Sequence, residues 1–255
     1  MKVVILCGGK GTRLREETEF KPKPLVEICG RPILWHIMKG YASFGYNEFV
    51  LCLGYKGEAI KQYFERYQTE DADYELDLSA GERRMLRSRD DCEDWKITFA
   101  ETGAETQTGR RIKLVQPYVD GDAFFCTYGD GVANVDVAAL ERFYRDKGKI
   151  AVITGVHPWS KYGQLAVDDE CIVERFIEKP RLADYINGGF FVFSTRIFDY
   201  IDGDVMLERA PFERLAEVRE IALYKHDGFW AAMDTYKDME ELNGYAYEGA
   251  PWRTW

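Results

Sequence analysis

The stretch Lys2 to Cys7 (KVVILC) is apolar and β-branched almost throughout, and it leads straight into Gly8-Gly9-Lys10-Gly11-Thr12-Arg13. A strand apolar at successive positions has no face left for water, so it belongs inside a parallel sheet covered on both sides. Three glycines among positions 8–11 let the backbone after that strand approach a ligand closely and aim N–H groups at one anion. Arg13 adds a permanent forked cation. Lys23 follows between Pro22 and Pro24, which fix φ and stiffen the segment that carries it. Strand, glycine loop, arginine and stiffly held lysine together are suited to a polyphosphate. The loop has neither the G-x-G-x-x-G spacing of a dinucleotide fingerprint nor a Walker G-x-x-x-x-G-K-[ST].

The rest of the chain reads as β-loop-α-β-α in its first sixty-odd residues. Pro32 opens a helix with Ile33, Leu34, Ile37, Met38 and Tyr41 on one face, Glu48–Leu53 is a strand, and Gly57–Tyr67 a second helix. Residues 68–94 are a charged excursion, read as a solvated surface or a subunit contact. Further strands are expected at 95–100, 123–127 and 150–156, with helices at 108–119 and 135–147. Asp130, between two glycines just past the 123–127 strand, lies where ligands bind in such sheets, at the carboxyl edge. From Tyr162 onward shorter pieces at 163–167, 171–177 and 188–193 read as antiparallel additions. A helix at 212–218, a strand at 221–226 and a last helix near 236–247 complete the pattern. Read from the residues alone, Asp234 is the N-cap of that last helix.

Composition narrows the classes. A length of 255 residues, 46% of them hydrophobic, makes an ordered core with one α/β domain. The net charge of −10 argues against nucleic acid, so cations for an anionic ligand must be concentrated locally or supplied by a metal. Six scattered cysteines without C-x-x-C spacing exclude a zinc or disulfide framework and suit a reducing cytoplasm. No apolar run is long enough to span a membrane. His36, His157 and His226 are read as structural or solvent-facing.

The full pattern L-x-G-G-x-G-T-R-L (residues 6–14) followed by Pro22-Lys23-Pro24 resembles the signature of the sugar-1-phosphate nucleotidylyltransferases. Glu16-Glu17-Thr18, Gly54-Tyr55-Lys56-Gly57, Thr108-Gly109-Arg110-Arg111, Glu178-Lys179-Pro180, Ile186-Asn187-Gly188-Gly189 and Met233-Asp234-Thr235 extend the likeness end to end and favour the cytidylyl branch. The resemblance implies a Rossmann-like, mixed but mainly parallel sheet flanked by helices, with a small antiparallel sugar-binding addition in the C-terminal half. Residues 1–150 would serve mainly the nucleotide and 151–255 mainly the sugar. The implied reaction joins CTP and glucose 1-phosphate to give CDP-glucose and pyrophosphate, a step in making deoxysugars for surface polysaccharide. Mg²⁺ would be held by Asp130 and Asp234. Lys23 would meet the α-phosphate and Arg13 the leaving pyrophosphate, while Leu6, Cys7, Gly8, Gly9, Lys10, Gly11, Thr12, Thr106, Arg111 and Gly129 contact the nucleotide. Tyr128, Glu178, Lys179, Asn187 and Gly188 would contact the sugar phosphate.

The implied partners are those two substrates and further copies of the chain. Cys7, Arg110 and Lys161 depart from the residues usual in the family, and they bear on the choice of base and sugar. The alternatives are the same chemistry on another sugar or polyol phosphate or another NTP, and a silent sugar-nucleotide sensor. Retention of Lys23, Asp130, Lys179 and Asp234 argues against the sensor.

Overall fold

The computed structural model describes residues 1–67, 73–87 and 93–255. Val3–Leu6 is a strand with every residue buried, and it pairs in parallel with Glu48–Leu53 on one side and Ala123–Tyr128 on the other. It is thus inside a seven-stranded sheet. The order across the sheet is Ile221–His226, Ala151–Val156, Ile186–Ser194, Ala123–Tyr128, Val3–Leu6, Glu48–Leu53 and Lys96–Glu101. All neighbours are parallel except Ile186–Ser194, which runs antiparallel to both strands beside it.

Alternation along the strands divides the core into two layers. Val3, Ile5, Leu51 and Phe125 face one cluster, covered by the helices Ile33–Ala42, Gly57–Arg66 and Val137–Lys147. Val4, Leu6, Val50 and Phe124 face the other, covered by Ile112 of the Thr108–Leu114 helix and Leu215 of the Ala210–Glu217 helix. Each such aliphatic side chain taken wholly out of water contributes about 1.5–3 kcal/mol, so both layers hold the sheet in place. The 137–147 helix starts where the side chain of Asp136 accepts from the Ala139 N–H at 2.7 Å, and it stops at Gly148, whose φ is 60°.

Two expectations change. The 188–193 piece is antiparallel as read, yet it is no peripheral addition. It is the interior of the nine-residue strand Ile186–Ser194, and Phe190, Phe191, Val192 and Phe193 are buried in the sheet. Of these later pieces, Gln164–Val167 and Val173–Ile177 form a separate antiparallel ribbon, exposed along most of its length. The helix expected over 108–119 is α-helical only to Leu114 and tightens to a 3₁₀ turn at Gln116–Tyr118, because Pro117 cannot continue the hydrogen-bond ladder. Within the charged excursion, Asp73–Asp77 and Glu82–Arg87 pair as a hairpin. Residues 68–72 and 88–92, including Cys92, lie outside the described residues.

Candidate active site

At the carboxyl end of the first strand the backbone turns under a buried arginine. Arg111 donates from Nη1 to the Leu53 carbonyl (3.1 Å) and Thr102 Oγ1 (2.7 Å), and from Nη2 to the carbonyls of Gly8 (3.1 Å) and Ala104 (3.3 Å). A Cβ on Gly8 would lie 2.1 Å from Arg111 Nη1, so only glycine allows this approach. Burial lowers the Arg111 pKa below the usual arginine value, and the ring of oxygen acceptors takes the place of a carboxylate partner. Arg111 therefore shapes the loop from beneath. Gly11 has φ +62°, and its carbonyl accepts from Leu14 N–H (2.9 Å) and Thr18 Oγ1 (3.0 Å). Those bonds fold Thr12–Leu14 into a 3₁₀ turn that seats Leu14 in the core and leaves Arg13 exposed.

Asp130 and Asp234 are brought together by a short ladder that sequence periodicity does not reveal. Gly131–Ala133 pairs antiparallel with Trp230–Ala232, and the Met233 N–H donates to the Asp130 carbonyl at 2.8 Å. The Lys23 ammonium sits between the two carboxylates, 2.6 Å from Asp130 Oδ2 and 2.8 Å from Asp234 Oδ1. Arg13 Nη1 takes the other oxygen of Asp234 at 2.9 Å. Burial opposes the charge on Lys23, but the two carboxylates outweigh it and raise the lysine pKa above its ordinary value. Burial likewise opposes ionisation of Asp234, and Lys23, Arg13 and Lys161 outweigh it and hold the carboxyl below the usual range. Asp234 does not cap the last helix. Thr235 is the N-cap and forms a capping box with Asp238, whose side chain also accepts from the Asp234 N–H at 2.9 Å. The cap thereby fixes the backbone of Asp234 and leaves its side chain free for the cluster.

Lys23 and Asp130 help line an open cleft of about 320 Å³, a size that suits a nucleotide-sized ligand. Leu6, Cys7, Gly8, Gly9, Lys10, Thr106, Arg111, Tyr128 and Gly129 line it, and Gly11, Thr12 and Arg13 are not among the lining residues. Lys10 from the loop reaches Glu105 from the opposite wall at 2.7 Å. On the C-terminal side Asn187 Nδ2 donates to Tyr128 Oη at 3.2 Å, and the Gly188 carbonyl accepts from Trp230 Nε1 at 2.7 Å. Glu178 and Lys179 are exposed, 3.9 Å from each other, and not part of the cleft lining. Burial, then Glu208, raises the Tyr128 pKa well above the ordinary phenol value.

Thr102 and Glu208 are residues to which sequence reasoning gives no role, and it marks Lys161 only as a departure from the family pattern. Thr102 holds Arg111, Lys161 lends charge to Asp234, and Glu208 accepts from both Tyr128 Oη and Thr108 Oγ1. No sequence signal marks Glu208, which stands in a loop before a helix among ordinary surface charges. Burial pushes His36 down to about 4, and His36 and His226 each bond a backbone carbonyl, as structural histidines do.

Residues 2–235 match the family model described as Nucleotidyl transferase, and the chain belongs to that family. Over the whole of both chains it is 48% identical to a probable glucose-1-phosphate cytidylyltransferase of Bacillus subtilis (strain 168). It is 45% identical, again over the full length of both, to the glucose-1-phosphate cytidylyltransferase of Salmonella typhi. Among solved structures, apo UDP-glucose pyrophosphorylase shares the fold with TM-score 0.70 at 14% identity, covering 97% of this chain and 98% of that one. HddC from Yersinia pseudotuberculosis complexed with GMP-PN shares it with TM-score 0.67 at 23% identity, covering 95% and 98%.

Proposed function

We propose that this chain transfers the cytidylyl group of CTP to α-D-glucose 1-phosphate, releasing pyrophosphate and giving CDP-glucose. The observation that carries the chemistry is the Asp130–Lys23–Asp234 cluster beside the glycine loop that helps line the cleft. The full-length identity to cytidylyltransferases supports the base and the sugar. In this reaction a phosphate oxygen of the sugar phosphate attacks the α-phosphorus in line as pyrophosphate departs, so the protein contributes position and charge rather than a nucleophile.

The loop Leu6–Thr12, held from below by Arg111, offers backbone N–H groups to the nucleotide, with Thr106 and Gly129 on the walls. Lys23 neutralises charge at the α-phosphate, and Arg13, exposed and paired with Asp234, turns to the pyrophosphate. Tyr128, Glu178, Lys179, Asn187 and Gly188 receive the sugar phosphate, so residues 1–150 serve mainly the nucleotide and 151–255 mainly the sugar.

The acidic pair fits Mg²⁺. Both carboxylates already reach one ammonium, so both reach one small cation. Among the described residues no third acidic, His or Cys ligand joins them, which leaves the remaining positions to water and phosphate oxygens as this ion prefers. Bound there, Mg²⁺ would supply positive charge to the phosphates as the leaving group develops.

Among the described residues no helix is long and apolar enough to cross a membrane, and the described cysteines are free thiols. Both are compatible with work in the cytoplasm, without nucleic acid or membrane. Exposed Leu76, Leu78, Met85 and Leu86 on the charged hairpin support assembly as a homo-oligomer, which a solution mass would test. The deciding experiment is a matrix of NTPs against sugar and polyol phosphates read by pyrophosphate release. CTP with glucose 1-phosphate should exceed every other pair by at least about tenfold in kcat/KM. A different best pair would keep the reaction class and replace the substrates.

A further inference from the structure

Glu208 ties the two walls of the cleft together. Its Oε1 accepts from Tyr128 Oη, and its Oε2 accepts from Thr108 Oγ1 at 2.7 Å. The threonine oxygen in turn accepts from the Leu207 N–H at 2.9 Å, so the proton it gives to Glu208 is its only one. Beyond Tyr128 the chain of bonds continues to Asn187, whose Nδ2 donates to Tyr128 Oη at 3.2 Å and whose Oδ1 accepts from the Gly189 N–H at 2.9 Å.

The direction of every bond follows from one group. A carboxylate only accepts, so Tyr128 must spend its single proton on Glu208. Its oxygen is then left to accept, so the amide nitrogen rather than the amide oxygen of Asn187 must face it. The Gly189 N–H holds Asn187 Oδ1 in the same sense. What remains on exposed Asn187 is the second N–H, with no partner among the described residues. Asn187 is thus set to donate and not to accept.

We propose that Glu208 is a positioning residue for the sugar phosphate: acting through Tyr128, it fixes Asn187 so that its free N–H donates to an acceptor oxygen of the sugar. The inference rests on the reading of Asn187 as a sugar contact. It adds a reason why the site prefers an oxygen at one sugar position, since a donor left facing a carbon loses its water partner without gaining another once substrate covers it. Glutamine at 208 would break the logic, because its NH₂ can donate to Tyr128 and release the phenol proton towards Asn187.

The test uses Glu208→Gln, Tyr128→Phe, Asn187→Ala and the double variant Glu208→Gln/Tyr128→Phe, with KM measured separately for each substrate and melting temperature alongside. Glu208→Gln should raise KM for glucose 1-phosphate about tenfold, one hydrogen bond's worth, while KM for CTP and the melting temperature change little. The double variant should be no worse than Tyr128→Phe alone, because Glu208 acts through that hydroxyl. One monodeoxy glucose 1-phosphate should lose its handicap in Glu208→Gln and keep it in the unmodified enzyme. Tyr128→Phe keeps the ring and removes only the hydroxyl, so it carries the same KM expectation should Glu208→Gln not fold. Equal loss for both substrates, or additive effects in the double variant, overturns the proposal and leaves Glu208 a structural strut. If Asn187→Ala raises KM for the sugar phosphate and Glu208→Gln does not, the proposal alone falls. If Asn187→Ala is also silent, the assignment of Asn187 to the sugar falls first.

Discussion

The loop Cys7–Gly11 and the ribbon that leads to Glu178 and Lys179 both carry residues assigned to substrate phosphates, yet they are built in opposite ways. The loop grows from a strand buried on both faces, is braced by an arginine only 4% exposed, and cannot take an added methyl at Gly8 unless the Arg111 side chain shifts. The ribbon Gln164–Val167 and Val173–Ile177 stands outside the main sheet, with Leu165, Phe176 and Ile172 each about three-fifths exposed. Side chains on such a ribbon reach a ligand by moving, whereas the loop must be right before the ligand arrives. On the proposed assignments, the nucleotide is met by the core, and the sugar phosphate partly by core strands (Tyr128, Asn187, Gly188) and partly by this exposed ribbon (Glu178, Lys179).

The comparison breaks most visibly at its junction, the acidic pair. Asp130→Asn and Asp234→Asn should each lower kcat on the order of 10³-fold or more with the fold retained, since each removes a carboxylate from the charge centre. Near-normal turnover at limiting Mg²⁺ in either variant would remove that residue from the metal site. Next comes Lys23→Ala, with kcat down by on the order of 10²–10³ and smaller changes in KM; Lys23→Arg should not rescue it, because the guanidinium is too wide for a side chain set between Pro22 and Pro24. An active Lys23→Ala enzyme would reduce it to a counter-ion.

On the buried side, Gly8→Ala should cost about 3 kcal/mol in denaturant unfolding, at the top of the overpacking range, because the new methyl displaces Arg111 from its acceptors. The buried half should also carry acid sensitivity. His36 titrates near 4 when folded and near 6.5 when unfolded, so the unfolded chain binds more protons between these values. The stability it contributes is complete above pH 6.5 and is lost as the pH falls towards 4, on the order of 3 kcal/mol in all. Urea titrations of the parent and a His36→Leu variant across that window should show a steeper slope in the parent, the remainder coming from groups such as His226, which burial also lowers. The smallest effect belongs to the ribbon: Glu178→Ala and Lys179→Ala should leave stability within about 0.5 kcal/mol and raise KM for the sugar phosphate alone. A loss of stability there would mean the ribbon is as integral as the loop.

The same contrast governs what the sequence made legible. The first strand and glycine loop are readable because burial on both faces writes a continuous apolar run, and the close approach to Arg111 demands glycine. Ile186–Ser194 carries the same signature in Phe190-Phe191-Val192-Phe193, which marks a central strand although the neighbouring short pieces suggest a periphery. The pairing of Asp130 with Asp234 was not legible from the residues themselves. It depends on two three-residue strands, too short to leave a period, and only the likeness to a known family joined them. Glu208 was hidden for a different reason: its role is set by the partners it meets in space, and a lone glutamate before a helix looks like any solvated charge.

The ladder that joins Gly131–Ala133 to Trp230–Ala232 has a consequence for synthesis. All seven strands of the main sheet have left the ribosome once His226 has emerged, and the glycine loop, Lys23 and Asp130 long before that. Asp234 comes only afterwards. A nascent chain thus acquires a place to hold a nucleotide before it acquires the second carboxylate, and a fragment cut at His226 keeps every strand of that sheet while lacking half of the acidic pair. The second carboxylate thus arrives after the sheet and before the last helix, Tyr236–Gly244, and the buried Trp252.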